Sequence, residues 1–114
     1  MSQLIKNEAD LADLIKEIDG LFLMVYASWC PHSQRFLPLF EKYAEKKTQS
    51  CARVVIDDLD NVVDRFGVEV YPTVLYFKNG KIAQRLDGVA GVGLDENQLK
   101  DFLNLCGAKV ITGD

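Results

Sequence analysis

The residues whose types and spacing most clearly offer chemistry are Trp29-Cys30-Pro31-His32-Ser33. A cysteine reacts as its thiolate, and the thiolate is favoured beside positive charge or at a helix start, where unpaired N–H groups and the helix dipole stabilise an anion. Cys30 follows an apolar run, Leu21 to Ala27, and precedes a helical pattern, which puts it at a strand-to-helix junction. In open α/β sheets that is where ligands are met. Pro31 suits a first helical position, where the missing N–H costs nothing. His32, when protonated, would add a second positive neighbour. The alternative for Cys30 is a buried structural thiol; the junction, Trp29 and His32 weigh against it.

Other candidates carry less. Cys51 precedes a core strand and Cys106 lies on the apolar face of the last helix, so both read as structural. Three cysteines this far apart, with no second Cys or His at metal-ligand distance from any of them, give neither a zinc site nor a disulfide scaffold. His32 is the sole histidine, and no Ser/His/Asp or Cys/His/Asn hydrolase signature accompanies it. Asp57, Asp58 and Asp60 lack the spacing of a calcium loop and read as turn solvation. Gly88, Gly91 and Gly93 do not spell a phosphate loop. No cofactor is expected.

The elements that must position Cys30 follow from periodicity. Gln3 to Lys6 reads as a short edge strand. Asn7 caps a helix carrying Leu11, Leu14, Ile15 and Ile18 at helical spacing, and Gly20 ends it. Leu21 to Ala27 is a strand buried on both faces. A helix then runs to about Lys47, kinked by Pro38, with Phe36, Leu39, Phe40 and Tyr43 inward. Ala52 to Asp57 is a strand, and Leu59 to Phe66 is a short helix closed by Gly67. Thr73 to Lys78, Asn79-Gly80 and Lys81 to Asp87 form a hairpin. Asp95 caps a last helix bearing Leu99, Phe102, Leu103 and Cys106, and the tail from Gly107 has no clear period. The order β-α-β-α-β-α-β-β-α predicts an α/β fold: a mixed sheet with helices on both faces, parallel pairing through crossovers, and the hairpin as an antiparallel edge.

The 114 residues suit one domain spanning 1–114, and 48% hydrophobic with 26% charged residues is an ordinary globular composition. A net charge of −4 argues against nucleic acid, and the adjacent pair Lys46-Lys47 reads as a solvated helix end. No apolar run is long enough to span a bilayer. The start Met1-Ser2-Gln3 shows no export signal, so a cytoplasmic location and a monomer are the expectations.

From roughly Leu4 to Cys106 the chain resembles the thioredoxin family. Trp29-Cys30-Pro31-His32-Ser33 stands in the place of that family's W-C-x-x-C. Pro38 matches its helix-kinking proline, Tyr71-Pro72-Thr73 its cis-proline segment, Phe77-Lys78-Asn79-Gly80 its hairpin, and Gly88 its substrate-groove glycine. The resemblance implies a thioredoxin fold and a thiol–disulfide oxidoreductase. Cys30 would be the nucleophile, tuned by Trp29, Pro31 and His32, and Tyr71, Pro72, Thr73 and Gly88 would bind substrate. Its partners would be protein disulfides and a reductant, either a thioredoxin reductase-like enzyme or a glutathione-like thiol.

There are three departures. Ser33 replaces the resolving cysteine, so the internal dithiol cycle is broken as written. Met24 falls where the family has a buried acid, and Arg53 where it has a neighbouring lysine. About four extra residues around Val89 to Leu94 lengthen the loop near the groove. The Pro-His pair resembles that of strongly oxidising disulfide catalysts, which favour a stable thiolate. Ser33 reads equally as a natural residue or as a replacement within W-C-P-H-C. The other readings are a client-binding module with weak catalysis and a monothiol glutaredoxin holding an iron–sulfur cluster with glutathione. The C-P-x-S spelling allows the last, but Tyr71-Pro72-Thr73 is not its usual segment and its acidic glutathione-anchoring pair is missing.

Overall fold

The computed structural model describes residues 2–46 and 50–107. Lys47 and the tail beyond Gly107 lie outside the described residues. The element order is β1 (Gln3–Leu4), α1 (Glu8–Glu17), β2 (Leu21–Tyr26), α2 (Pro31–Lys46), β3 (Ser50–Val55), α3 (Asn61–Phe66), β4 (Thr73–Lys78), β5 (Lys81–Leu86) and α4 (Glu96–Leu105). The order of elements is the expected one, with ends displaced by one or two residues. β3 begins early enough to contain Cys51, and α3 begins after Asp60, since Asp57 and Asp58 remain in the preceding turn.

Local chemistry accounts for the boundaries. Asn7 Oδ1 accepts from the Asp10 N–H at 2.8 Å and starts α1. Asp95 and Gln98 form a reciprocal capping box at α4, each bond 2.8 Å long. Gly67 closes α3 in the left-handed conformation. Asn79 and Gly80 both take positive φ in the two-residue turn joining β4 to β5. Pro38 sits inside α2 as the sequence predicts.

The strands form one five-stranded sheet in the order β1-β3-β2-β4-β5. β1 and β2 pair parallel to β3, whereas β4 pairs antiparallel to β2, and β5 antiparallel to β4. The antiparallel region is therefore wider than the edge hairpin expected from the strand and helix alternation. The cause lies in the connection through α3. β3 ends with Val55 opposite Tyr26, and β4 begins with Thr73 opposite Val25. The connection leaves and re-enters at one end of the sheet without crossing its length, so β4 must run backwards. That end is also where β2 delivers the chain to Cys30.

β2 is buried along its whole length. Leu21, Leu23 and Val25 pack with Leu11, Ile15, Val54, Val62 and Leu75 under α1 and α3. Phe22, Met24 and Tyr26 pack with Phe36, Phe40, Val74, Leu99 and Phe102 under α2 and α4. The period of two places alternate side chains in the two cores, which explains the uninterrupted apolar run. Among the described residues, no helix is long and apolar enough to cross a membrane. Leu23 is fully buried on this strand. Leu23→Ala should lower unfolding free energy by about 2–5 kcal/mol, through lost burial and the cavity left behind, as measured by urea denaturation.

Candidate active site

Cys30 is the residue that opens α2, and Pro31 is the first residue within it. The Cys30 carbonyl accepts the first helical bond, from Gln34 N–H at 3.0 Å, and its own N–H turns back to the Ala27 carbonyl at 3.2 Å. The thiol thus sits at the helix start, among the N–H groups that the first turn leaves unpaired. Cys30 is only 9% exposed, while Trp29 beside it is 64% exposed. The thiol is a recessed group beside a prominent indole.

The turn from β2 into α2 is clamped from outside. Asp57, in the turn after β3, accepts from the Ser28 hydroxyl at 2.6 Å and from the Ser28 N–H at 3.2 Å. Gln34 donates to the Ser28 carbonyl at 2.8 Å. Every polar group of Ser28 is therefore held, on one side by the sheet's end and on the other by α2. Sequence reasoning assigns Asp57 only a solvating role. Its distance along the chain from Ser28 hides the partnership, and only the parallel pairing of β2 with β3 brings the two ends together.

The loop before β4 lies against Cys30. The Tyr71–Pro72 peptide bond is cis. The Tyr71 carbonyl lies 4.0 Å from Cys30 Sγ, and its ring stands edge-on to Trp29, with centroids 6.1 Å apart. Burial is the first cause that raises the Tyr71 phenol above its ordinary pKa, and the nearby Asp64 and Cys30 add to it. Thr73 is fully buried; its hydroxyl donates to the Val70 carbonyl at 2.7 Å and accepts from the Gly88 N–H at 3.4 Å. Gly88 is glycine because of space: a Cβ there would lie 2.5 Å from the Pro72 carbonyl oxygen. Arg85 adds a strap from β5, donating to the Phe66 and Gly67 carbonyls at 3.0 and 3.1 Å and pairing with Asp87 at 2.9 Å.

Ser33 is 1% exposed, and its hydroxyl accepts from the Ala27 N–H at 3.4 Å. It is a buried polar group facing the same turn as Cys30. Met24 is fully buried in the core under α2. Arg53, opposite Met24 in the sheet, turns to Glu41 at 3.7 Å and to the Ser2 carbonyl at 2.6 Å. The two departures from the family pattern thus join a core and a structural ion pair.

His32 and Arg35 contact each other through Nδ1 and the guanidinium. Arg35 thus places a permanent positive charge beside His32 in the first turn of α2. The extra residues after β5 close on the same imidazole. Val89 and Gly93 form an isolated antiparallel bridge, and a Cβ on Gly93 would lie 2.8 Å from His32 Cβ.

Away from the site, Cys106 is pushed up to about 11 by burial, which disfavours its thiolate and suits a structural role. All three cysteines are thiols, none joined in a disulfide.

This arrangement of strands and helices recurs in known proteins. The thioredoxin family model matches residues 3–104. The chain belongs to the thioredoxin family. It is 29% identical over 100 residues to a thioredoxin from Mycoplasmoides gallisepticum, covering 87% of this chain and 96% of that protein. It is 30% identical over 99 residues to protein disulfide-isomerase A5 from Bos taurus, covering 80% of this chain but only 18% of that much longer protein. In structure it is similar to a thioredoxin from Plasmodium falciparum, with a TM-score of 0.82 at 20% identity over 90% of this chain and 97% of that one. The α/β thioredoxin fold expected from the sequence is therefore the fold of this protein. Its family supports a thiol–disulfide oxidoreductase type of function.

Two hydrogen-bonded carboxylates, the exposed Asp57 and the half-buried Glu96, link this architecture to pH. Asp57 is held below the usual carboxylate range, first by the Ser28 hydroxyl and then by the Ser28 N–H. Glu96 is lowered by the Tyr43 hydroxyl at 2.6 Å and by Lys42 at 3.0 Å. A depressed carboxylate stabilises the fold above its unfolded pKa, and that contribution is lost as pH falls through the lower folded value. Thermal melts from pH 6 down to about 3, spanning the ordinary carboxylate range, should therefore fall less steeply in Asp57→Asn/Glu96→Gln than in the parent.

Proposed function

We propose that the protein carries out thiol–disulfide exchange on protein disulfides with Cys30 as nucleophile, and that an external thiol completes the cycle because Ser33 cannot. The observation that carries this reading is the meeting of Cys30 Sγ with the Tyr71 carbonyl at 4.0 Å, at the loop that enters β4. There the thiol lies next to backbone that an extended substrate chain can pair with, in the manner of strand addition.

The chemistry conserves sulfur bonds. The Cys30 thiolate attacks one sulfur of a substrate disulfide. A Cys30–substrate disulfide forms, the original S–S bond breaks, and the other substrate sulfur leaves as a thiolate that takes a proton from water. In a dithiol enzyme a second internal thiol would then displace the substrate. The Ser33 hydroxyl is too weak a nucleophile, so the mixed disulfide persists until an outside thiol attacks it. If a further cysteine of the substrate, not the one just released, attacks the substrate sulfur, a rearranged substrate disulfide forms, Cys30 leaves as its thiolate, and the outcome is isomerisation. If a glutathione-like thiol attacks the substrate sulfur, Cys30 is regenerated and the substrate leaves joined to that thiol. A second such thiol then reduces it.

Trp29, Pro31 and His32 shape the surroundings of Cys30, while Tyr71, Pro72, Thr73 and Gly88 form the substrate-facing loop. A reducing, cytoplasm-like setting in which such a small thiol is at hand would complete this cycle. A thioredoxin reductase-like donor would serve the Ser33→Cys variant, which regains an internal dithiol.

The test is turnover of a small disulfide in glutathione, with mass spectrometry of the trapped species. The chain as it stands should accumulate a Cys30 mixed disulfide and turn over slowly. Ser33→Cys should release it through an internal disulfide, with turnover raised roughly 100-fold or more, since resolution no longer waits for a bimolecular encounter. Cys30→Ser should abolish both. Client proteins retained as strongly by Cys30→Ser as by the parent would instead favour a binding module.

A further inference from the structure

The segment between β5 and α4 bridges the two pieces of chain that flank Cys30. At one foot, Gly88 is buried with its Cα against the Pro72 carbonyl, where a Cβ would lie 2.5 Å away. At the other foot, Gly93 is buried against His32, where a Cβ would lie 2.8 Å from the imidazole-bearing carbon. Between them the chain closes on itself. Val89 N–H donates to the Gly93 carbonyl at 3.1 Å, Gly93 N–H to the Val89 carbonyl at 2.7 Å, and Val92 N–H to the Val89 carbonyl at 2.9 Å. Gly91 and Gly93 take positive φ, which lets so short a hairpin turn. The result is a closed miniature hairpin standing on both the Tyr71–Pro72 loop and the Cys30 motif.

Its outward residues are apolar. Val89 is 46% exposed and Val92 64%. Among the described residues four large hydrophobic side chains are exposed: these two, Trp29 and, at the end of α4, Leu105. Single exposed apolar residues need no explanation, but a group of them around one site marks a contact surface. Here Trp29 is next in sequence to Cys30, and the two valines lie on a hairpin seated on His32. Because three backbone bonds already fix the hairpin, a partner meeting it loses little in ordering it.

We infer that the Val89–Gly93 hairpin is a specificity element, and that Val92 selects polypeptide disulfides bearing an apolar residue next to the reacting cysteine. The inference rests on the exchange reaction assigned above to Cys30. An extended substrate whose cysteine reaches Cys30 beside the Tyr71 carbonyl lies close to the hairpin, which stands on that loop at Gly88 and on His32 at Gly93. A leucine beside the substrate cysteine can then cover Val92, whereas a serine leaves the valine wet and gains nothing from it.

The test uses two short peptides whose cysteine is disulfide-linked to thionitrobenzoate, one with leucine and one with serine on both sides, neither carrying a charged side chain. Attack by the Cys30 thiolate on the peptide sulfur breaks the disulfide and releases the coloured thionitrobenzoate. Rates are taken with Cys30→Ser as the blank. The leucine peptide should react about tenfold faster in the parent, the low end of what one apolar contact contributes to discrimination. That ratio should collapse towards one in Val92→Ser, be retained in Val92→Leu, and stay at the parent value in Leu105→Ser. A parent that treats the two peptides alike, or a ratio unmoved by Val92→Ser, overturns the inference while leaving the exchange reaction intact. Failure of the parent to exceed the Cys30→Ser blank even with the free dithiobis(nitrobenzoate) reagent overturns the exchange reaction, and the inference with it.

Discussion

The two-sided burial of β2 is the constraint on which the rest of the molecule depends. Its side chains are shared alternately between two cores, so it cannot slide in register without exposing apolar groups on one face and colliding on the other. Tyr26 is therefore fixed at the end of the sheet, and the turn that follows begins from a fixed point. The parallel neighbour β3 ends beside it and supplies Asp57; the antiparallel neighbour β4 begins beside it and supplies the Tyr71–Pro72 loop. Asp57 and the Tyr71–Pro72 loop are thus both held by strands registered on this one strand.

Much of that arrangement is legible in the sequence, and the reasons are local. Asn7, Asp95, Gly67 and Asn79-Gly80 terminate their elements by bonds or dihedrals confined to a few residues, and such signals survive in a linear reading. The apolar run Leu21 to Tyr26 announces a central strand because nothing polar interrupts it. Cys30, Pro31 and the segment Tyr71-Pro72-Thr73 are recognisable from their types and order. What the sequence does not disclose depends on long-range geometry. The clamp of Asp57 on Ser28 spans two strand ends, the contact of Arg35 with His32 depends on side-chain direction, and the antiparallel entry of β4 depends on where the α3 connection lies. The added residues after β5 are visible as an insertion, but their closure into a hairpin seated on His32 is not.

Ser33 sits in a turn whose other groups are the recessed Cys30 thiol, the helix start, the prominent Trp29 indole and the Tyr71 carbonyl beside the thiol. The buried hydroxyl of Ser33 accepts from the Ala27 N–H within the same turn, so this part of the scaffold is held without a second sulfur. Met24 is consistent with this, being a core residue where a buried acid would need compensation that the surrounding apolar side chains do not offer.

The contact between Gly93 and His32 has a consequence for how this region can vary. The absent side chain of one residue is the space occupied by the ring of the other, so the two positions form a single steric unit although they lie on different elements. Any side chain at 93 would meet the His32 Cβ at 2.8 Å and would also be strained by the positive φ, so the hairpin holds its seat on His32 only with glycine there. Changes in the Cys30 motif and changes in the loop after β5 are therefore not independent moves, and the two segments must be inherited or redesigned as a pair.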